Sequence, residues 1–116
     1  MPIVNPTYAP IPYSSRHRYT SFKQFYPFYL GQHANVTCRR LHVIGTLSAV
    51  ALATTSLALQ QPSRLLVAPL VAYAFAWVGH FFFEKNTPAT FQHPWYSFRG
   101  DLTMFYETVV LRQRPF

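Results

Sequence analysis

Two apolar runs of 19 residues, Leu41–Leu59 and Leu65–Phe83, are separated only by Gln60-Gln61-Pro62-Ser63-Arg64, and neither holds a charged residue other than a protonatable histidine. Each run is close to the ~20 residues a helix needs to cross a bilayer core. A connection this short makes the two helices antiparallel neighbours. Gly45, Ser48, Ala49, Ala51, Ala53, Ala72, Ala74 and Ala76 allow close approach of their backbones. Pro69 falls in the first turns of the second run, where it disturbs a helix least. The expectation is an all-α fold: a membrane helical hairpin of two spans, flanked by interfacial amphipathic helices. The competing reading is a hairpin buried in a soluble protein.

Composition favours the membrane. Charged residues make up 11% of the 116 positions, against about 25% in an ordinary soluble domain. Aromatic residues reach 18%, as in chains with interfacial aromatic belts. The mean hydropathy of +0.05 averages polar ends with an apolar middle. A net charge of +7 raises the question of nucleic acid, but the basic residues flank the apolar runs and mark no recognition helix, so no nucleic-acid partner is expected. Anionic headgroups are the simpler partner. Arg16, Arg18, Lys23, Arg39 and Arg40 precede the first run, Lys85, Arg99, Arg112 and Arg114 follow the second, and only Arg64 lies in the turn. The positive-inside rule then puts both ends of the chain on the cytoplasmic side, or its organellar equivalent. No signal peptide is read at the N-terminus. An integral, multi-pass protein of the endoplasmic reticulum, the mitochondrial inner membrane or a bacterial plasma membrane is expected, with no choice among them.

Three regions are expected. Residues 1–20 form a Pro-rich extended arm, held by the chain's own membrane domain or by another chain of a membrane complex. Residues 21–111 form the helical membrane domain. Residues 112–116 form a basic tail facing solvent or headgroups. Within the domain, Thr20 or Ser21 caps a short helix whose Phe22, Phe25, Tyr26 and Tyr29 share one face, suited to lying at the membrane surface. Asn86 to His93 reads as a loop between Pro88 and Pro94. Asp101 to Leu111 reads as a last amphipathic helix.

The chemistry gathers at one end of the hairpin. His42 stands 20 residues before Pro62 and His80 18 after it, so at ~1.5 Å rise both lie about 30 Å from the turn and face each other. His80 and Glu84 are four apart and share a helix face. His33 joins them if the chain folds back at Gly31 or near Asn35. Three His and one Glu with no thiolate form an N/O ligand set that suits non-haem iron best, with zinc and manganese as alternatives. His93, in the loop at the same end, is a possible further ligand, and His17, in the arm, is read as solvent-facing. The bland alternative makes each histidine a hydrogen-bonded interfacial residue and pairs Glu84 with Arg39 or Arg40. Asn35, Asn86 and Asp101 are read either as partners that orient a ligand imidazole or as helix caps. Cys38, the sole cysteine, excludes an internal disulfide and packs as a small hydrophobe.

The tracts Phe25-Tyr26-x-x-Tyr29-x-x-x-His33-x-Asn35, Arg40-Leu41-His42-x-x-Gly45, Trp77-x-Gly79-His80-x-x-Phe83-Glu84-Lys85-Asn86-x-Pro88-Ala89 and Pro94-x-Tyr96-Ser97 resemble the membrane 2-hydroxy-fatty-acid (2-hydroxypalmitate) dioxygenase family, long catalogued as a domain of unknown function. The similarity runs from about Ser21 to Asp101. The resemblance implies an iron(II) enzyme that shortens a 2-hydroxy fatty acid by one carbon with dioxygen. It implies catalytic and metal-binding roles for His33, His42 and His80, with Glu84 ligating the metal or orienting a ligand. Lipid and a 2-hydroxy fatty acid are the implied partners, with Arg39 or Arg40 placed to attract the carboxylate. The reading from a different class is a non-catalytic subunit of a larger membrane complex that keeps this fold.

Overall fold

The computed structural model describes residues 3–12 and 18–116. Among them the regular structure is helical throughout, with no strand. Helix α1 spans Phe22–Gly31, α2 Val36–Ala58, α3 Val67–Val78 and α4 Pro94–Phe105. A 3-10 turn, Pro62–Leu66, leads into α3, which continues as a π-helical turn over Gly79–Glu84. A second π-helical turn, Tyr106–Val110, extends α4.

The ends of these elements follow from local chemistry. Ser21 caps α1, its side chain accepting from the Gln24 amide. Asn35 caps α2 by accepting from the Cys38 amide at 3.0 Å. α2 therefore starts five residues before the expected Leu41 and takes Arg39 and Arg40 into its first turns. Gln60 adopts a left-handed conformation, φ 55°, and the Gln61 amide bonds back to the Ser56 carbonyl at 2.8 Å. That closes α2 and turns the chain. With its flanking turns the second arm of the hairpin covers Pro62–Glu84, so each arm is a 23-residue helix long and apolar enough to cross a membrane.

The hairpin packs tightly because Gly45 has no side chain. A Cβ there would stand 2.7 Å from Phe75 Cβ. Away from that seam the arms are bare. Leu47, Leu57, Leu66, Leu70 and Phe82 are all more than half exposed, more apolar surface than a monomer in water ordinarily presents.

The best-buried packing lies beside the hairpin. Phe25, Phe28, Tyr29 and Leu30 of α1 are at most 3% exposed and pack with Met104 of α4 and Tyr8 of the arm. The aromatic face of α1 thus turns into the domain rather than along a membrane surface. The outward apolar face belongs to α4, where Trp95, Phe98 and Leu102 are exposed.

The two ends of the chain meet over this core. In the tail, residues 112, 113, 115 and 116 are exposed, as its charge suggested, but Arg114 is buried. Its Nε donates to Glu107 Oε1 at 3.1 Å and its guanidinium also donates to the carbonyls of Asn5 and Val4. A buried guanidinium needs such partners. Ala9 and Pro10 lie against Gly31, where a Cβ would come 2.6 Å from the Ala9 carbonyl oxygen. The described part of the arm is therefore held by its own domain. His17, read above as solvent-facing, and the remaining arm positions 1–2 and 13–16 lie outside the described residues.

Candidate metal centre

Three elements deliver three imidazoles to one point. α1 ends at Gly31, and the turn before the Asn35 cap folds His33 back over the start of α2. His42 sits in the second turn of α2, and His80 sits on the π-helical turn that ends the hairpin. Gly79 lets the two arms approach here, since a Cβ on it would meet Cys38 Sγ at 3.1 Å. All three histidines are at most 5% exposed. Their ring centroids lie 4.3, 4.6 and 4.8 Å apart and the rings stand at 74–88° to one another.

The hydrogen bonds around them set the tautomers. His33 Nδ1 lies 2.7 Å from the Tyr29 carbonyl and His42 Nδ1 2.8 Å from the Cys38 carbonyl. A carbonyl only accepts, so both Nδ1 atoms carry protons. His80 Nδ1 lies 2.7 Å from Asn86 Oδ1, and Asn86 Nδ2 is spent on Gln32, donating to its carbonyl and to Oε1. Asn86 therefore presents an acceptor to His80 as well. Each imidazole keeps its Nε2 lone pair for the interior.

Two of those nitrogens, His33 Nε2 and His42 Nε2, stand 3.0 Å apart. Lone pairs facing at that distance repel unless a proton or a cation lies between them. Burial pushes the His33 pKa well below the ordinary histidine range, and the neighbouring His42 and His80 push it further. A cation is thus the better fit. Two imidazole nitrogens bound to one ion at ~2.0–2.1 Å stand about 3.0–3.4 Å apart.

Glu84 lies outside this group of converging donors. Its Oε1 accepts from the Asn35 amide at 2.7 Å, so the carboxylate satisfies a free N–H at the start of α2. Cys38 joins the group instead, with Sγ 3.8 Å from His42 Nδ1. The sequence signal for it is the i, i+4 spacing of Cys38 and His42, read above only as packing. His93 is buried away from the triad, its Nε2 accepting from the Tyr19 amide at 3.2 Å. Asn35 proves to be a cap, and Asn86 the partner that orients His80. Arg39 and Arg40, candidate carboxylate anchors, are both committed to backbone. Arg39 donates to the His33 and Ala34 carbonyls, both at 2.8 Å, and Arg40 to the Phe116 carbonyl.

Tyr29 links the triad to a carboxyl group. Its ring packs 4.2 Å from that of His33 and its hydroxyl donates to Asp101 Oδ1. Gly100 makes room, because a Cβ there would be 3.0 Å from the Tyr29 ring. Burial pushes the Asp101 carboxyl up to about 7, the Tyr29 bond partly offsetting it. Burial and Asp101 together raise the Tyr29 hydroxyl well above its usual range. Asp101 and His42 line one end of a groove of about 400 Å³ between α2, α3 and α4.

A family model described as 2-hydroxy-palmitic acid dioxygenase Mpo1-like matches residues 19–113. The chain belongs to the Mpo1-like family. The match takes in all four helices, the three convergent histidines and Asn86. No curated protein and no solved structure matches the chain. The Mpo1-like description fits a His-rich site able to hold a metal ion, at one end of two helices long and apolar enough to cross a membrane.

Proposed function

We propose that this chain is a two-span membrane enzyme that uses iron(II), held by His33, His42 and His80, to shorten 2-hydroxy long-chain fatty acids by one carbon with dioxygen. The observation that carries the reading is the set of three Nε2 lone pairs turned inward by three outward Nδ1–H bonds, in a chain of this family. Imidazole donors suit iron as they do zinc, copper and nickel, and the dioxygenase description of the family favours iron among them. Iron(II) bound there supplies redox chemistry with dioxygen and a positive charge for the acid's oxygens.

The residues of the chain do the rest. The carbonyls of Tyr29 and Cys38 and the amide of Asn86 hold the imidazoles in one tautomer and orientation. The three ligands are neutral, so the charge of a bound dication stays available to an anionic carboxylate. Burial of the triad keeps water away from the reacting carbon. The Asp101 carboxyl is the group on the same groove able to take the proton of the 2-hydroxyl. The overall reaction balances without a second reductant. If the carboxyl carbon leaves as carbon dioxide, the substrate gives up four electrons, which reduce dioxygen, and its second carbon becomes the new carboxyl.

Membrane spanning is part of the proposal. It rests on the two 23-residue apolar helices and on their exposed leucines. The test supplies purified, iron-loaded protein with labelled 2-hydroxyhexadecanoic acid and oxygen. The one-carbon-shorter acid should form and should disappear with His80→Ala. Iron-loaded wild-type protein that leaves the acid intact rules the activity out.

A further inference from the structure

The groove beside His42 has one polar end and one apolar arm. At the triad end it is lined by His42 and Thr46 of α2 and Asp101 of α4, and towards the hairpin turn by Ala49, Ala53, Leu65 and Ala72. On α2 the lining positions 42, 46, 49 and 53 follow i, i+4, i+7, i+11, so they form one straight stripe. On the facing arm, Leu65 of the 3-10 turn and positions 68, 72 and 76 of α3 form the matching stripe. The facing residues are small, which keeps the space open although the backbones are in contact at Gly45. From His42 to Ala53 the stripe is about 16 Å long at ~1.5 Å per residue. Its ~400 Å³ would hold roughly a dozen water-sized groups at ~30 Å³ each.

We infer that this groove is the slot for the alkyl chain of the substrate, and that Ala49 and Ala53 set the chain length the enzyme accepts. The inference rests on the activity proposed above for its occupant. Continuity with the triad selects that occupant: a molecule whose polar head lies at His42 finds the apolar stripe leading directly away from it in the same groove. A bilayer phospholipid would find the same apolar walls but has no reason to place its head at a buried imidazole cluster. Leu65, beside the hairpin turn, lines the end of the groove farthest from His42 along the chain.

Two measurements test it. The first compares a series of saturated 2-hydroxy acids of increasing length in the wild type, Ala49→Phe, Ala53→Trp and the outward-facing control Leu47→Trp, each with its metal content measured. Ala53→Trp should lower the preference for long over short acids by about tenfold or more, as filling a hydrophobic slot does. Ala49→Phe should move the cut-off to still shorter acids. Leu47→Trp should leave the preference as it is. A long-to-short preference that is the same in all four metal-loaded proteins overturns the inference.

The second measurement needs no turnover. A 2-hydroxy acid carrying a diazirine at its methyl end is photolysed with wild-type protein in lipid nanodiscs. Label on residues 53, 65 and 69, displaced by unlabelled 2-hydroxyhexadecanoic acid and reduced in Ala53→Trp, supports the slot even if the activity assay fails. Label spread over the lipid-facing Leu47, Leu57 and Leu70, with no competition, means the groove holds ordinary lipid and overturns the slot even if the activity is present.

Discussion

The imidazole of His80 depends on one amide for its tautomer. Asn86 Oδ1 receives the Nδ1 proton while Asn86 Nδ2 is tied to Gln32. Removing that acceptor frees the ring to rotate and to place its proton on Nε2. Asn86→Ala should therefore weaken metal binding by roughly 10- to 100-fold, measured by competition with a chelator, and Asn86→Asp should recover most of the loss. Asp101 makes a prediction about pH. Its carboxyl titrates at about 7 in the fold and near 3.9 in an unfolded chain, so the folded state binds the proton more tightly. Its contribution to stability is complete below pH ~4 and is lost as pH rises through about 7. Asp101→Asn still accepts from Tyr29 but cannot ionise. The variant should match the wild type below pH ~4 and melt progressively higher than it as pH rises to 8. His42 and His80 were legible from spacing alone because a hairpin with a short turn returns equal distances to the same level. His33 needed the family tracts, since nothing in its spacing says where the chain bends. The place of Cys38 among the donors and the contact of Glu84 with the Asn35 amide were not legible: the latter depends on a π-helical turn that no local propensity encodes.

Among the elements, α2 and α3 owe their register to two glycines. Gly45 faces Phe75 with no room for a Cβ, and Gly79, on the π-helical turn that continues α3, faces Cys38 so closely that a Cβ would press on it. Gly45→Leu should force the arms apart and cost on the order of 1–3 kcal/mol, read as a lower melting temperature with reduced metal content. At the start of α2, Glu84 covers the Asn35 amide. Losing a capping contact costs about 1 kcal/mol, so Glu84→Ala should melt lower and still bind one metal per chain. A chain that loses the metal outright would make Glu84 a ligand. The two apolar runs announced the hairpin plainly, although each helix runs past the uncharged stretch. Arg39 and Arg40 looked like the border of α2, but Arg39 folds back onto the His33 and Ala34 carbonyls, Arg40 reaches the Phe116 carbonyl, and the helix begins before both, at Val36. The face of α1 was misread for a physical reason. An aromatic stripe looks the same whether it meets lipid or the stripe of another helix, and here it meets α4 and Tyr8.

As a whole the molecule is a hairpin with an aromatic cap, and the two ends of the chain lock the cap. Arg114 is the keystone, bonded to Glu107, Val4 and Asn5 and set beside the rings of Tyr8 and Tyr26. Arg114→Ala leaves Glu107 without its cation beside the Tyr26 hydroxyl that donates to it. Breaking such a buried pair costs on the order of 3 kcal/mol, and the arm should become sensitive to protease. This clasp could not be read from the chain, because residues 110 positions apart meet in it and a basic tail reads by default as solvated. Metal binding at the triad underlies the proposed activity. X-ray absorption and metal analysis of purified protein, reconstituted anaerobically with ferrous iron, address it most directly. One iron per chain with an imidazole scattering signature, lost in both His42→Ala and His80→Ala while the helical circular dichroism persists, is the predicted result. Folded wild-type protein that binds no iron after reconstitution, or variants that keep it in full, would contradict the account.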